Sequence, residues 1–177
     1  MVRLADRRFT GTMSVNLVDF GRGATLVAAT ITMGLFAGLF YTFACGVMPG
    51  LARTDDPTFV ASMQGINVAI LNGWFGIGFF GAGLLTIAAG AFHAGRDAMP
   101  WIIAGFVLYA ITFVITIAAN VPLNNALVAA GETADPAGVR AAFEVAWVRW
   151  NLARAVVSTA GLGCLTWALV LYGRSSA

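Results

Sequence analysis

Residues 23–52 read GATLVAATITMGLFAGLFYTFACGVMPGLA, thirty consecutive positions without a charged side chain. A helix crossing the hydrocarbon core of a bilayer needs roughly 20 mostly apolar residues, so this stretch is long enough to span. Three more uncharged stretches follow, at residues 57–95, 98–131 and 155–173. The whole composition agrees: 59% of residues are hydrophobic, 10% are charged and the mean hydropathy is +0.84, whereas soluble domains are about a quarter charged. The expected fold is all-α, an integral membrane four-helix bundle. Its spans are expected at about 24–47, 74–92, 101–119 and 150–172, with an extra amphipathic helix at about 57–71 in the first outer connection. Residues 23–177 would form this single domain, behind a polar segment 1–22 open to disorder.

Local signals place the breaks. Met48-Pro49-Gly50 should stop the first helix, and Pro122 in NVPLNN should kink or end the third, because proline lacks an amide N–H and crowds the preceding turn. Asp56 followed by Pro57 reads as a helix N-cap with proline at the first helical position. Gly76, Gly78, Gly81 and Gly83 on the second span would let another helix approach closely. The last helix should begin near Ala137 and run to about Tyr172. Arg3, Arg7, Arg8, Arg22, Arg96 and Arg174 fall on one side of this topology, while Arg53, Arg140 and Arg149 on the other are offset by acids. Positive charge collects on the cytoplasmic side, which makes the chain a multi-pass protein of the cell membrane with both termini cytoplasmic.

Polar residues then converge on the outer side. Glu144, Trp147, Asn151 and Arg154 follow one another at i, i+3, i+7 and i+10, one face of a helix, with Trp150 at its border. Tyr41 ends the first span there, Gln64 and Asn67 lie on the amphipathic helix, and Asn120 and Asn124 straddle Pro122. Unpaired polar groups in hydrocarbon cost several kcal/mol each. They must therefore clamp helices together or line a cavity, and convergence from four parts of the chain favours a small-molecule pocket. Arg154 calls for a counter-charge, either Glu144 or a bound anion.

GLFAGLFYTFACGVMPGL, FVASMQGIN, NVPLNNAL and RAAFEVAWVRWNLAR, taken together, resemble the anthrone oxygenase-like family of small four-helix membrane proteins. The resemblance covers nearly all of residues 34–154 and departs at Asn72-Gly73, where the family often has Asn-Pro. It implies oxidation of an anthrone to an anthraquinone with dioxygen as co-substrate. An anthrone loses a proton from carbon to give an aromatic, electron-rich anion that can reduce dioxygen directly. At the matching positions Arg154, Asn120 and Asn151 would stabilise the oxyanion, and Glu144, which is not one of those positions, is the best-placed candidate base. Trp147 and Trp150 would stack on the rings, with Tyr41, Gln64, Asn67 and Asn124 as further substrate contacts. No cofactor is called for, with haem or a metal left open.

Competing readings are a non-catalytic binder of a hydrophobic ligand and an accessory subunit of a membrane complex. The expected partners are a lipophilic small molecule and the bilayer, with homo-oligomerisation left open. Nucleic acid is not expected, because the ten basic residues form no tract with interleaved aromatics. Cys45 and Cys164 lack CxxC partners and read as small buried hydrophobes. The only histidine, His93, reads as a loop residue on the cytoplasmic side, and no metal site is expected.

Overall fold

In the computed structural model, the first helix does not stop at its proline. Residues 17–175 are described with their side chains, so the expectation for segment 1–22 falls largely outside them. Helix α1 (Val2–Thr42) passes through a wide π-type turn, Phe43–Val47, into α2 (Met48–Leu51). The third span does the same: α5 (Met99–Ile115) passes through a wide turn, Thr116–Asn120, into α6 (Val121–Ala129). In each case the turn ends two residues before proline, at Pro49 and Pro122. The Met48 N–H bonds to the Phe43 carbonyl and the Val121 N–H to the Thr116 carbonyl, one residue further back than in an α-helix. The widened turn gives the proline ring room, so the third span runs on through Pro122 to Ala129, while the first ends at Leu51, two residues past Pro49.

Between these lie α3 (Asp56–Ala69) and α4 (Gly73–Phe92), and the chain ends in α7 (Pro136–Ser176), 41 residues without a break. Among the described residues four helical stretches are long and apolar enough to cross a membrane: Leu17–Leu51, Gly73–Phe92, Met99–Ala129 and Pro136–Ser175. Large apolar side chains such as Ile31, Leu35, Ile77, Leu84, Ile103, Val114 and Val156 lie on the outside. Such a surface suits lipid and not water. This is a membrane four-helix bundle, and α7, at about 1.5 Å per residue, is roughly twice as long as the hydrocarbon core is thick. Its N-terminal part therefore carries a cap.

Packing follows that division. Leu26, Met33, Ala82, Ile102, Tyr109 and Leu165 centre the core of the bundle. Phe36, Phe40, Phe79 and Ala155 form the next layer, and Met48, Phe59, Met63, Leu127, Phe143 and Trp147 fill the cap. Two of the four expected close-approach glycines serve that purpose. A Cβ on Gly83 would lie 2.5 Å from the Tyr109 ring and one on Gly78 3.0 Å from Phe36, while Gly76 and Gly81 face open space.

The cap is fastened by Arg140. Its guanidinium donates to Glu144 at 2.7 Å, to Asp56 at 2.9 Å, and to the carbonyls of Thr54 and Ala52 at 3.0 and 3.2 Å, and it covers the Phe59 ring at 4.5 Å. Two expectations are corrected here. The N-cap of α3 is Asp55, whose carboxylate accepts from the Thr58 N–H at 2.9 Å, leaving Asp56 free to bind Arg140. Glu144 pairs with Arg140 and not with Arg154. The cysteines also differ from expectation: Cys45 is exposed and Cys164 half-buried, both as free thiols.

Candidate functional site

Where the bundle meets the cap, a cavity of about 80 Å³ opens between α1, α3, α6, α7 and the two wide turns. Its walls are apolar and aromatic, including Phe40, Phe43, Phe75 and Trp147, and its rim includes Leu71, which is 80% exposed. The polar groups reaching it are Asn67, Thr116, Asn124, Asn151 and Arg154. A groove of about 280 Å³ between α3 and α6 shares Asn67, Ile70, Leu71, Val121 and Asn124 with the cavity. The cavity alone is well below the usual range for small-ligand sites, about 300–1,000 Å³, so a ring system would have to extend into the groove.

Arg154 is the charge in this cavity. It is 6% exposed, and among the described residues it has no carboxylate partner. One guanidinium nitrogen donates to Asn151 Oδ1 at 3.0 Å, another makes a long 3.5 Å contact with the Thr116 hydroxyl, and Nε has no partner. The group lies 4.4 Å above the Phe40 ring and 5.6 Å from Trp147, and these π-faces partly compensate it. Asn151 uses its other end as well, donating from Nδ2 to the Phe40 carbonyl at 3.0 Å, so one side chain ties α7 to α1 and holds Arg154. Asn124 accepts the Trp147 indole N–H at 2.7 Å, which fixes the face that Trp147 presents. Asn67 Nδ2 is buried without a partner. Asn120, one turn beyond Thr116 and fully buried, has neither amide atom hydrogen-bonded.

The structure therefore brings together Asn67, Asn124, Trp147, Asn151 and Arg154, with Asn120 beside them. It leaves five expected site residues outside the cavity, Asn120 being buried one residue before Val121 of the lining. Glu144 sits in the Arg140 cluster; Gln64 donates to the carbonyls of Leu127 and Gly131 at 2.9 and 3.0 Å, closing the end of α6. Tyr41 and Trp150 are 62% and 45% exposed on the outer surface of the helices. Sequence reading missed Phe40, Phe43, Phe75 and Thr116, whose apolar or helix-internal positions carry no signal alone. It also missed the Arg140–Glu144 pair, which the i,i+4 spacing does signal.

A larger hollow, about 400 Å³, lies at the opposite end and is lined by Asp19, Arg22, His93, Arg96, Asp97 and Tyr172. Two of its four charged side chains are engaged: Asp19 and Arg22 pair at 2.5 Å, and Arg22 also donates to the Phe92 carbonyl. His93, in the turn after α4 as expected, is its buried C-cap, 1% exposed, with Nδ1 at 2.8 Å from the Ala89 carbonyl and the ring edge-on to Tyr172. Burial pushes its pKa below the ordinary value, reinforced by Arg22 and Arg96 and opposed by the Ala89 hydrogen bond. Among the described residues no group of three or more His, Cys, Asp or Glu side chains is placed to hold a metal ion.

Neither the curated proteins nor the solved structures contain a match to this chain. The family model described as anthrone oxygenase matches residues 72–164, more than half of the 177 residues. The matched segment carries Asn120, Asn124, Trp147, Asn151 and Arg154, the α5–α7 side of the cavity, while Phe40, Phe43 and Asn67 precede it. The chain belongs to the anthrone oxygenase family.

Proposed function

We propose that this protein is a membrane-embedded oxygenase of a lipophilic, anthrone-like aromatic, with dioxygen as co-substrate and no cofactor. The observation that carries the reading is an unpaired Arg154 buried among aromatic walls in a cavity that opens toward an apolar groove. The overall reaction balances: the reacting carbon gives up two hydrogens, one atom of dioxygen becomes the new ketone oxygen, and the other leaves as water. The protein would supply a flat slot between Phe43, Trp147 and Phe75, and donors for the ring oxyanion from Arg154 and Asn67. Charge stabilisation in a site that excludes water is the largest single term in many enzymes. A substrate dissolved in the bilayer would enter over Leu71 and the groove between α3 and α6. We place the protein in the cell membrane with both termini cytoplasmic, on the arginine distribution.

Oxygen uptake and quinone formation with anthrone, on protein purified in mild detergent, test this reading. Turnover is expected from the native protein and a fall of at least about 100-fold from Arg154→Gln, the scale for removing an oxyanion donor. The second reading, a binder that holds a flat hydrophobic ligand without turning it over, is favoured by the position of Glu144. With that acid engaged by Arg140, no carboxylate among the described residues lines the cavity. Tight anthrone binding without oxygen consumption would select it.

A further inference from the structure

The cavity has an imbalance that the oxygenase reading alone does not use. Among the described residues, two polar atoms of its lining are buried without partners, Arg154 Nε and Asn67 Nδ2, and both are donors; Asn120, which does not line it, has both amide atoms unpaired. The one formal charge is positive. Thr116 does not supply the balance, because its oxygen is neutral and accepts from Arg154 only at a long 3.5 Å, its proton being donated to the Thr112 carbonyl at 2.8 Å. The groups facing Arg154 are Phe40 from α1, Thr116 from the wide turn, and Trp147 and Asn151 from α7, none of which ionises. The acid earlier on α7, Glu144, lies ten residues away, about 15 Å along the axis, and Arg140 holds it. A buried cation with nothing opposite costs several kcal/mol, and a site rich in donors and poor in acceptors is complementary to an anion.

We propose that the cavity takes its ligand as a preformed monoanion. The anion is a phenolate- or enolate-type oxygen on a flat apolar ring system, seated on Arg154 and Asn67 with the rings reaching into the α3–α6 groove. This rests on the oxygenase reading and deepens it. The carbon acid loses its proton to water at the membrane interface before the rings slide in, and no protein carboxylate acts as base. Asn151 is a positioning residue that keeps the guanidinium aimed at the oxyanion.

The test is equilibrium binding under nitrogen between pH 6 and 9, read by quenching of tryptophan fluorescence in mild detergent. The probes are anthrone, anthracene-9-carboxylate, which stays ionised throughout, and anthraquinone, which never ionises. For anthrone the apparent Kd should fall about tenfold per pH unit below the ligand's own pKa. Anthracene-9-carboxylate should bind with little pH dependence and at least about tenfold tighter than anthraquinone. Arg154→Gln should flatten the anthrone slope and abolish the preference for the carboxylate, and Arg154→Lys should keep both in part. Because the slope and the preference are properties of the native protein, they decide the matter even if a variant fails to fold. Anthrone affinity independent of pH, or anthraquinone binding as tightly as the carboxylate, would overturn the proposal, as would failure of both ionisable probes to bind. If the carboxylate binds through Arg154 and anthrone does not bind at all, the anion site stands and the anthrone reading falls.

Discussion

Replacing Arg140 by alanine removes the fastening between the cap and the last helix, and the structure allows the loss to be estimated. The ion pair with Asp56 is partly exposed, with the acid 42% accessible, so it contributes at most about 1 kcal/mol. The Glu144 pair, with the base N-terminal to the acid, adds about 0.3 kcal/mol. Donation from a cation to the Thr54 and Ala52 carbonyls adds roughly 1 kcal/mol each once rehydration of those turn carbonyls is allowed for, and the guanidinium over fully buried Phe59 about 1 kcal/mol more. The expected destabilisation is about 2–4 kcal/mol, with Arg140→Lys losing roughly half of that because an ammonium cannot fork to four acceptors. Denaturant unfolding in detergent, followed by near-ultraviolet circular dichroism for the aromatic cap and far-ultraviolet for the helices, measures it. The near-ultraviolet signal should be lost first, since the bundle core does not contain Arg140. A loss within about 0.5 kcal/mol, the range of ordinary surface substitutions, would refute the view that Arg140 fastens the cap.

Three other expectations follow from the packing. Gly83→Ala should cost about 1–3 kcal/mol by overpacking against the Tyr109 ring and disturb the Tyr109 hydroxyl bond to the Phe79 carbonyl at 2.7 Å. Gly81→Ala, facing open space, should be neutral or slightly stabilising, and equal melting temperatures for the two would count against the tight crossing. Asn124→Leu leaves the buried Trp147 indole N–H without its acceptor and should cost about 1–3 kcal/mol, visible as a shifted tryptophan emission maximum. His93 has a folded pKa below its unfolded value, so the unfolded chain binds the proton more readily and stability should decline as pH falls through about 6.5. Thermal unfolding at pH 7.5 and pH 5.5 should show that decline in the native protein and less of it in His93→Gln.

The spans were legible because membrane insertion reads bulk hydropathy, which residues such as 23–52 display without any tertiary information. The Trp147–Asn151–Arg154 stripe was legible for a similar reason: helical spacing alone puts it on one face, and α7 is unbroken there. Glu144 was misassigned because spacing along that face says nothing of Arg140 on the turn before it, or of Asp56 arriving from α3. Gln64 was misassigned because an amide on an amphipathic helix looks the same whether it faces a ligand or the carbonyls at the end of α6. Phe40, Phe43 and Phe75 were invisible as site residues, since any apolar side chain in a span can equally face lipid, core or cavity.

The two widened turns have a consequence for how the helices keep phase. Successive residues of an α-helix advance by about 100° around its axis, and a π-type turn accommodates one extra residue per turn. Beyond residues 43–47 and 116–120, each helix is therefore rotated by up to about one residue's worth of azimuth relative to an uninterrupted α-helix. The membrane half and the cap half of the same helix thus keep separate clocks, one set by the bundle and one by α3 and α7. Deleting a single residue such as Ala118 would let the turn close into a regular α-helix. That would keep Asn124 and Leu127 facing Trp147 and the cap core, whereas closing the same turn with every residue retained would swing them away while leaving Gly105 packed against Leu165. In this bundle, the count of residues in one turn sets which side chains the cavity sees.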